Sequence, residues 1–278
     1  MTGDDPLQRG TPAGSLRYFA VLYAPEPARP LLDALYAFEA EIDDTVRSSS
    51  HEVAHTRLQW WRGEIDRLLG GQPQHPVTRA LLPLRSAPGA DFALLHEVLV
   101  AADIGLARLT LQSAAELEAY CFRATGSLQT LAAAACRMPA ALSSSEREFA
   151  RALGSAVCRT EALRDLRSHL AAGRLPLPLD EIEAAGIDAG SLRPDTMSPE
   201  LGTLLERTRR SLTDELQRLP GLLTREERVV QRHGLVLAAL QARLLEQIDH
   251  RDEIARLRAE VPHWTRLWTA WRTAVRNA

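Results

Sequence analysis

Two short acidic stretches hold the side chains best placed to do chemistry together. Glu161-Ala-Leu-Arg-Asp-Leu-Arg-Ser-His169 sets Glu161, Asp165 and His169 at intervals of four, so a helix would stack them in one line. Glu39-Ala-Glu-Ile-Asp-Asp44 does the same for Glu39 and Asp43, with Arg47 one turn further on. Two such faces turned inward can hold divalent metal ions, or a metal–diphosphate ligand, between helices. Carboxylate and neutral imidazole both ligate divalent metals, imidazole favouring ions softer than magnesium. Glu39, Asp43, Glu161, Asp165 and His169 are therefore the candidate metal set. Arg47 reads in two ways. It can bind diphosphate directly, or it can pair with Asp43 in a surface contact worth only ~0.3–0.5 kcal/mol. His169 has the same alternative, as a partner for Asp165.

Helices are needed to present these ladders, and the apolar pattern supplies them. Leu31, Leu32, Leu35 and Phe38 recur at helical spacing, as do Leu58, Trp61, Ile65 and Leu68 before the stop at Gly70-Gly71. Further helices are expected over about 77–82, 92–109, 113–136, 145–171, 199–219, 224–248 and 263–276. Alternating runs of β-branched residues are almost absent. Gly- and Pro-rich breaks are short, and no fixed repeat occurs. The expectation is a single all-α domain spanning residues 1–278, a helical bundle around a central cavity, with residues 1–14 as a flexible N-terminal tail.

Bulk properties narrow the function. The 278 residues are 45% hydrophobic and 25% charged, with a formal net charge of −3; that is an ordinary globular composition without the basic surplus of a nucleic-acid binder. Every one of the 33 Lys+Arg residues is Arg, a compositional habit of the chain. Cys121, Cys136 and Cys158 lack metal-ligand spacing and read as small buried hydrophobes in a reduced compartment. The N-terminus lacks the pattern of a signal peptide, and no apolar run is long enough to span a bilayer. These features place the chain in the cytoplasm, with peripheral membrane contact open.

Six landmarks, taken together, resemble squalene and phytoene synthases. They are Arg17-Tyr-Phe-Ala20, Leu35-Tyr-Ala-Phe38 followed by Asp43-Asp44, Leu58-Gln-Trp-Trp-Arg62, His75-Pro-Val77, Tyr120-Cys-Phe-Arg-Ala-Thr-Gly126, and Leu163-Arg-Asp165 followed by Gly173-Arg174 and Leu177-Pro178. They occur in that family's order and approximate spacing, over roughly residues 15 to 250. The resemblance implies an isoprenoid synthase class I-like fold, isoprenoid diphosphate substrates and Mg2+ as cofactor. It implies catalytic roles for Asp43, Asp44 and Asp165, and substrate-binding roles for Arg47, Tyr120, Arg164, Arg174 and Gln129.

This chain departs from the family pattern at several of those positions. Arg47 stands where the first motif ends in an aspartate, His169 where the second does, and Glu161 where an uncharged polar residue is usual. Pro176 replaces an aromatic residue, and Gln129 a common glycine. Two functions therefore fit. One is a Mg-dependent prenyltransferase that joins two prenyl diphosphates head to head. The other is a non-catalytic relative, lipid-binding or of the respiratory-complex assembly type, that keeps the fold without the metal site. Retained Asp43, Asp44 and Asp165 favour the first, and Arg47 and His169 the second. Near the C-terminus, Trp264, Leu267, Trp268 and Trp271 form one helical stripe. It either anchors in a headgroup zone or caps the body of the same domain. Oligomeric state leaves no sequence signal.

Overall fold

The computed structural model describes residues 6–47, 50–248 and 259–277. Fourteen α-helices are found among them, and the only β pairing is an isolated bridge between Arg193 and Thr196. In chain order they are α1 (Leu16–Val21), α2 (Arg29–Val46), α3 (His51–Leu69), α4 (Pro76–Leu81), α5 (Leu94–Leu106), α6 (Ala114–Cys121) and α7 (Ser127–Arg137). They continue with α8 (Ser144–Arg164), α9 (Leu166–Ala171), α10 (Leu179–Ala184), α11 (Pro199–Arg218), α12 (Arg225–Val230), α13 (Arg232–Gln247) and α14 (His263–Arg276). Local chemistry sets many of the starts. Ser50 accepts a hydrogen bond from the Val53 N–H at the head of α3. Ser143 with Glu146, and Thr224 with Glu227, form reciprocal capping boxes for α8 and α12, each satisfying amide donors that a helix cannot satisfy internally.

Buried apolar side chains gather in two large clusters. One joins α2, α3, α4, α5 and α7 through Leu35, Phe38, Leu58, Ile65, Leu99 and Leu131. The other joins α1, α8, α11, α13 and α14 through Phe19, Phe149, Val157, Leu212 and Leu240. The seam between them is polar. The Tyr36 hydroxyl lies 2.9 Å from His233 Nε2 and accepts from Gln129 Nε2 at 3.2 Å, while Gln231 donates to Glu146 and to the Ala133 carbonyl. Burial pushes His233 down to about 4, so its ring is uncharged at neutral pH.

Several helices differ in detail from the apolar pattern. The stretch expected as one helix over 145–171 is split at Asp165, whose φ of −100° and ψ of 14° end α8 and open α9. A second break, at Gln231, separates α12 from α13. Between α6 and α7 lies a π turn, Phe122–Gly126. The expected N-terminal tail is docked from Pro6 onward, the first five residues lying outside the described ones. Arg9 pairs with Glu41 at 2.5 Å and with Asp44 at 3.2 Å. Thr11 is buried and donates to Asp33. Gly10 lies so close to α2 that a Cβ there would come within 2.0 Å of the Tyr36 carbonyl carbon.

The crossing of the π turn over α8 also requires glycine. A Cβ on Gly154 would meet Gly126 Cα at 2.4 Å and its amide nitrogen at 2.6 Å, and backbone cannot step aside as a side-chain tip can. Gly154→Ala should therefore cost at least about 1–3 kcal/mol, although alanine is the better helix former. Urea unfolding of the variant measures it, and a midpoint equal to wild type would mean the crossing has slack.

Candidate functional site

A cavity of about 750 Å³ opens between α2, α5, α6, α8 and α9, a size typical of small-molecule sites. Its apolar wall is made by Ile42, Val46, Val98, Ala101, Ala102 and Leu117, among others. Its charged side carries Glu39, Asp43, Glu161 and Asp165 against Arg47, Arg108, Arg164, Arg167 and Arg174, with His169 among them. Two ladders more than a hundred residues apart in sequence thus converge on one space. Tyr120 and Cys158 complete the lining on their side.

Arg17, from α1, is held by carboxylates of both ladders. Its Nη2 lies 3.0 Å from the Glu39 carboxylate and 3.5 Å from Glu161, and its guanidinium sits over the Tyr36 ring at 5.1 Å. Burial opposes the Arg17 charge, yet Glu39 and Glu161 outweigh it and hold the group above its ordinary range. Glu39 shows the opposite balance. Burial, together with Asp43 and Glu161 nearby, pushes its carboxyl up to about 8 against the pull of Arg17. Burial raises Asp43 as well. One buried cation serves three crowded carboxylates, so the group readily keeps a proton.

The remaining acids at the cavity are also matched by arginines. Arg47 lies 2.9 Å from Asp44 and 3.9 Å from Asp43. Arg164 grips Asp165 with two parallel bonds, Nε at 3.0 Å and Nη2 at 2.6 Å, the planar fork that guanidinium and carboxylate favour. Burial and the Arg174 charge keep the His169 imidazole below its ordinary value, so it is neutral at pH 7. Burial likewise raises the Tyr120 hydroxyl, which stays protonated. Cys158 forms a thiol hydrogen bond with Cys121 that raises the latter well above its usual range. It is half-buried on the cavity wall, and so less enclosed than the sequence suggested.

Two expected site residues lie elsewhere. Asp44 is not part of the cavity wall; it faces outward to Arg9 and Arg47, being about 100° round α2 from Asp43. Gln129 is buried in the polar seam beside Tyr36. Three further arginines belong to the site. Arg17 stood in a recognised landmark without a role. Arg108 follows α5, in a stretch with no motif. Arg167 is one turn from Arg164 and pairs with Asp195.

The magnesium implied by the resemblance does not fit this donor set. Among the described residues no three His, Cys, Asp or Glu side chains are grouped to hold a metal ion, and Arg17, Arg47 and Arg164 occupy the carboxylates that would do so. A divalent ion would have to displace those guanidiniums.

Comparison with known proteins agrees with this fold. The family model described as squalene/phytoene synthase matches residues 12–268. A phytoene synthase of Thermus thermophilus is 30% identical over 260 residues, covering 90% of this chain and 84% of its own length. A presqualene diphosphate synthase of Rhodopseudomonas palustris is 28% identical over 194 residues, 68% of this chain and 67% of its own. Among solved structures, a dehydrosqualene synthase in complex with ligand superposes with a TM-score of 0.76 at 18% identity, covering 98% of this chain and 99% of that one; this likeness speaks to the fold.

Two measurements check the electrostatics. Arg17→Met leaves Glu39 and Glu161 without their cation and should lower the urea midpoint, more at pH 9 than at pH 7, where Glu39 still holds its proton. Glu39 has a folded value of about 8 against an ordinary 4.5. Its contribution to stability is therefore whole below pH 4.5 and lost as the pH rises through about 8. Urea midpoints for wild type should fall across that window relative to Glu39→Gln, which has no such proton to lose. Parallel profiles would show that Glu39 titrates like an exposed acid.

Proposed function

The chain belongs to the squalene/phytoene synthase family, and from that premise we propose that it binds isoprenoid diphosphates in the cavity and joins two of them head to head. The observation that carries this reading is the division of the cavity into an apolar wall and a charged side. Ionising an allylic diphosphate breaks its C–O bond and leaves the electron pair on the diphosphate. The carbocation that remains survives only where water is excluded, against a wall such as Ile42, Val46, Val98 and Leu117. Guanidiniums already in place on the charged side stabilise the negative leaving group as it forms, and Arg47, Arg164 and Arg174 are the residues we assign to that work. Asp165 holds Arg164 in position, and Tyr120 bounds the prenyl chain. The synthase names carried by the relatives lend no support to an assembly-type protein without catalysis.

The test is incubation of the purified protein with farnesyl or geranylgeranyl diphosphate, following released diphosphate and extractable condensed product. Product formation is expected, and its absence with both substrates would sink the reading. Asp165→Asn should lower turnover roughly 100-fold by letting Arg164 drift. Asp44→Asn removes only an exposed pair and should change turnover less than about twofold.

A membrane contact is favoured by α14. Among the described residues no helix is long and apolar enough to cross a bilayer, but α14 turns its aromatic stripe outward. Trp264, Trp268 and Trp271 are 78%, 58% and 48% exposed, while Thr269, Ala270 and Ala274 face the protein. Indoles beside arginines suit a headgroup zone. Replacing the three tryptophans with serine should release the protein from sedimenting anionic vesicles, and unchanged partition would reject the contact.

A further inference from the structure

Arg108 and Arg174 stand apart from the other arginines of the cavity. Arg47, Arg164 and Arg167 each have a carboxylate partner. Among the described residues Arg108 and Arg174 pair with none, yet both line the cavity. They are brought together by two helix ends of the same kind. The α5 helix closes at Ala107, and Arg108 follows with a φ of 53°. The α9 helix closes at Ala172, Gly173 follows with a φ of 69°, and the Arg174 N–H then bonds to the His169 carbonyl at 2.8 Å. A Cβ on Gly173 would lie 3.6 Å from Arg108 Nη1, so the Arg108 guanidinium rests over the glycine next to Arg174.

The backbone at Arg108 makes this placement notable. A left-handed residue just past a helix end is ordinarily glycine, and any other residue there is strained. Arg108 is the only non-glycine residue with positive φ among those described. The chain therefore holds an unpaired guanidinium where the backbone alone would prefer glycine. That is how a functional side chain kept in a costly conformation looks.

We propose that Arg108 and Arg174 clamp the diphosphate group on the charged side of the cavity without magnesium, doing the work of a metal whose carboxylate ligands are here occupied by Arg17, Arg47 and Arg164. The proposal rests on the isoprenoid diphosphate reading for the identity of the ligand. The chemistry of the clamp itself is a multiply charged diphosphate anion between two guanidiniums, and free pyrophosphate shares it.

Titration calorimetry with farnesyl diphosphate and with inorganic pyrophosphate, each in EDTA and in saturating Mg2+, tests it. Farnesyl diphosphate should bind in EDTA with an affinity within about twofold of that in magnesium. Arg108→Gly and Arg174→Gln should each weaken binding in EDTA about tenfold, the loss of one charge-assisted contact. Arg108→Gly also relieves the strained φ and should raise the melting temperature, which separates lost binding from lost folding. Affinity that appears only with magnesium overturns the clamp. So does EDTA affinity unchanged by both substitutions. If pyrophosphate is held in EDTA and lost in Arg108→Gly while farnesyl diphosphate binds no more tightly than pyrophosphate, the clamp stands and the isoprenoid reading falls.

Discussion

The guanidinium of Arg17 is the contact through which three parts of the fold close on one another. It arrives on the short helix α1 and meets Glu39 of α2 and Glu161 of α8, with the Tyr36 ring beneath it. The two acidic helices belong to different packing neighbourhoods, α2 to one apolar cluster and α8, with α1, to the other. Apolar packing has no directional preference strong enough to choose the rotation of α2 against α8. A planar cation with carboxylates on two sides does choose it. The acidic ladders face one space because a charge between them makes that arrangement tolerable in a low-dielectric interior.

The same matching recurs across the cavity and gives it an unusual division of labour. Arg17, Arg47 and Arg164 neutralise acids, and His169 contributes no charge. What is left over is positive and lies on the loops after α5 and α9. An anion in the cavity meets that surplus on one side and an apolar wall on the other. Polarity and apolarity are thus divided as an amphiphile with a charged head requires.

Much of this was legible in the residues. The period of leucines and tryptophans gave the helices, and the four-residue spacing of Glu39 with Asp43, and of Glu161 with Asp165 and His169, put each set on one face. The structure brings both faces to one cavity. The departures have separate causes. Asp44 turns outward because adjacent helical residues diverge by about 100°, although the motif groups it with Asp43. Gln129 was placed by analogy of position, while its own environment is the buried seam. Arg17 and Arg108 could not be assigned from sequence, because the role of a guanidinium depends on which carboxylates lie near it in space. The docking of residues 6–14 depends on Gly10 fitting against the backbone of α2, a contact that no periodicity reports.

The π turn at Phe122–Gly126 has a consequence for how this cavity can change. One extra residue is wound into the segment that joins α6 to α7, so the two helices are out of phase by roughly the angle of one residue, about 100°. On the near side of the turn Tyr120 and Cys121 point to the cavity; on the far side Leu128 and Leu131 fill the apolar cluster beneath α2. A single deletion within 122–126 would bring the helices back into phase and swing the α6 face, Tyr120 with it, away from the cavity. The shape of the chamber is therefore set by chain length at one turn, and the close crossing of Gly126 over Gly154 ties that turn to α8.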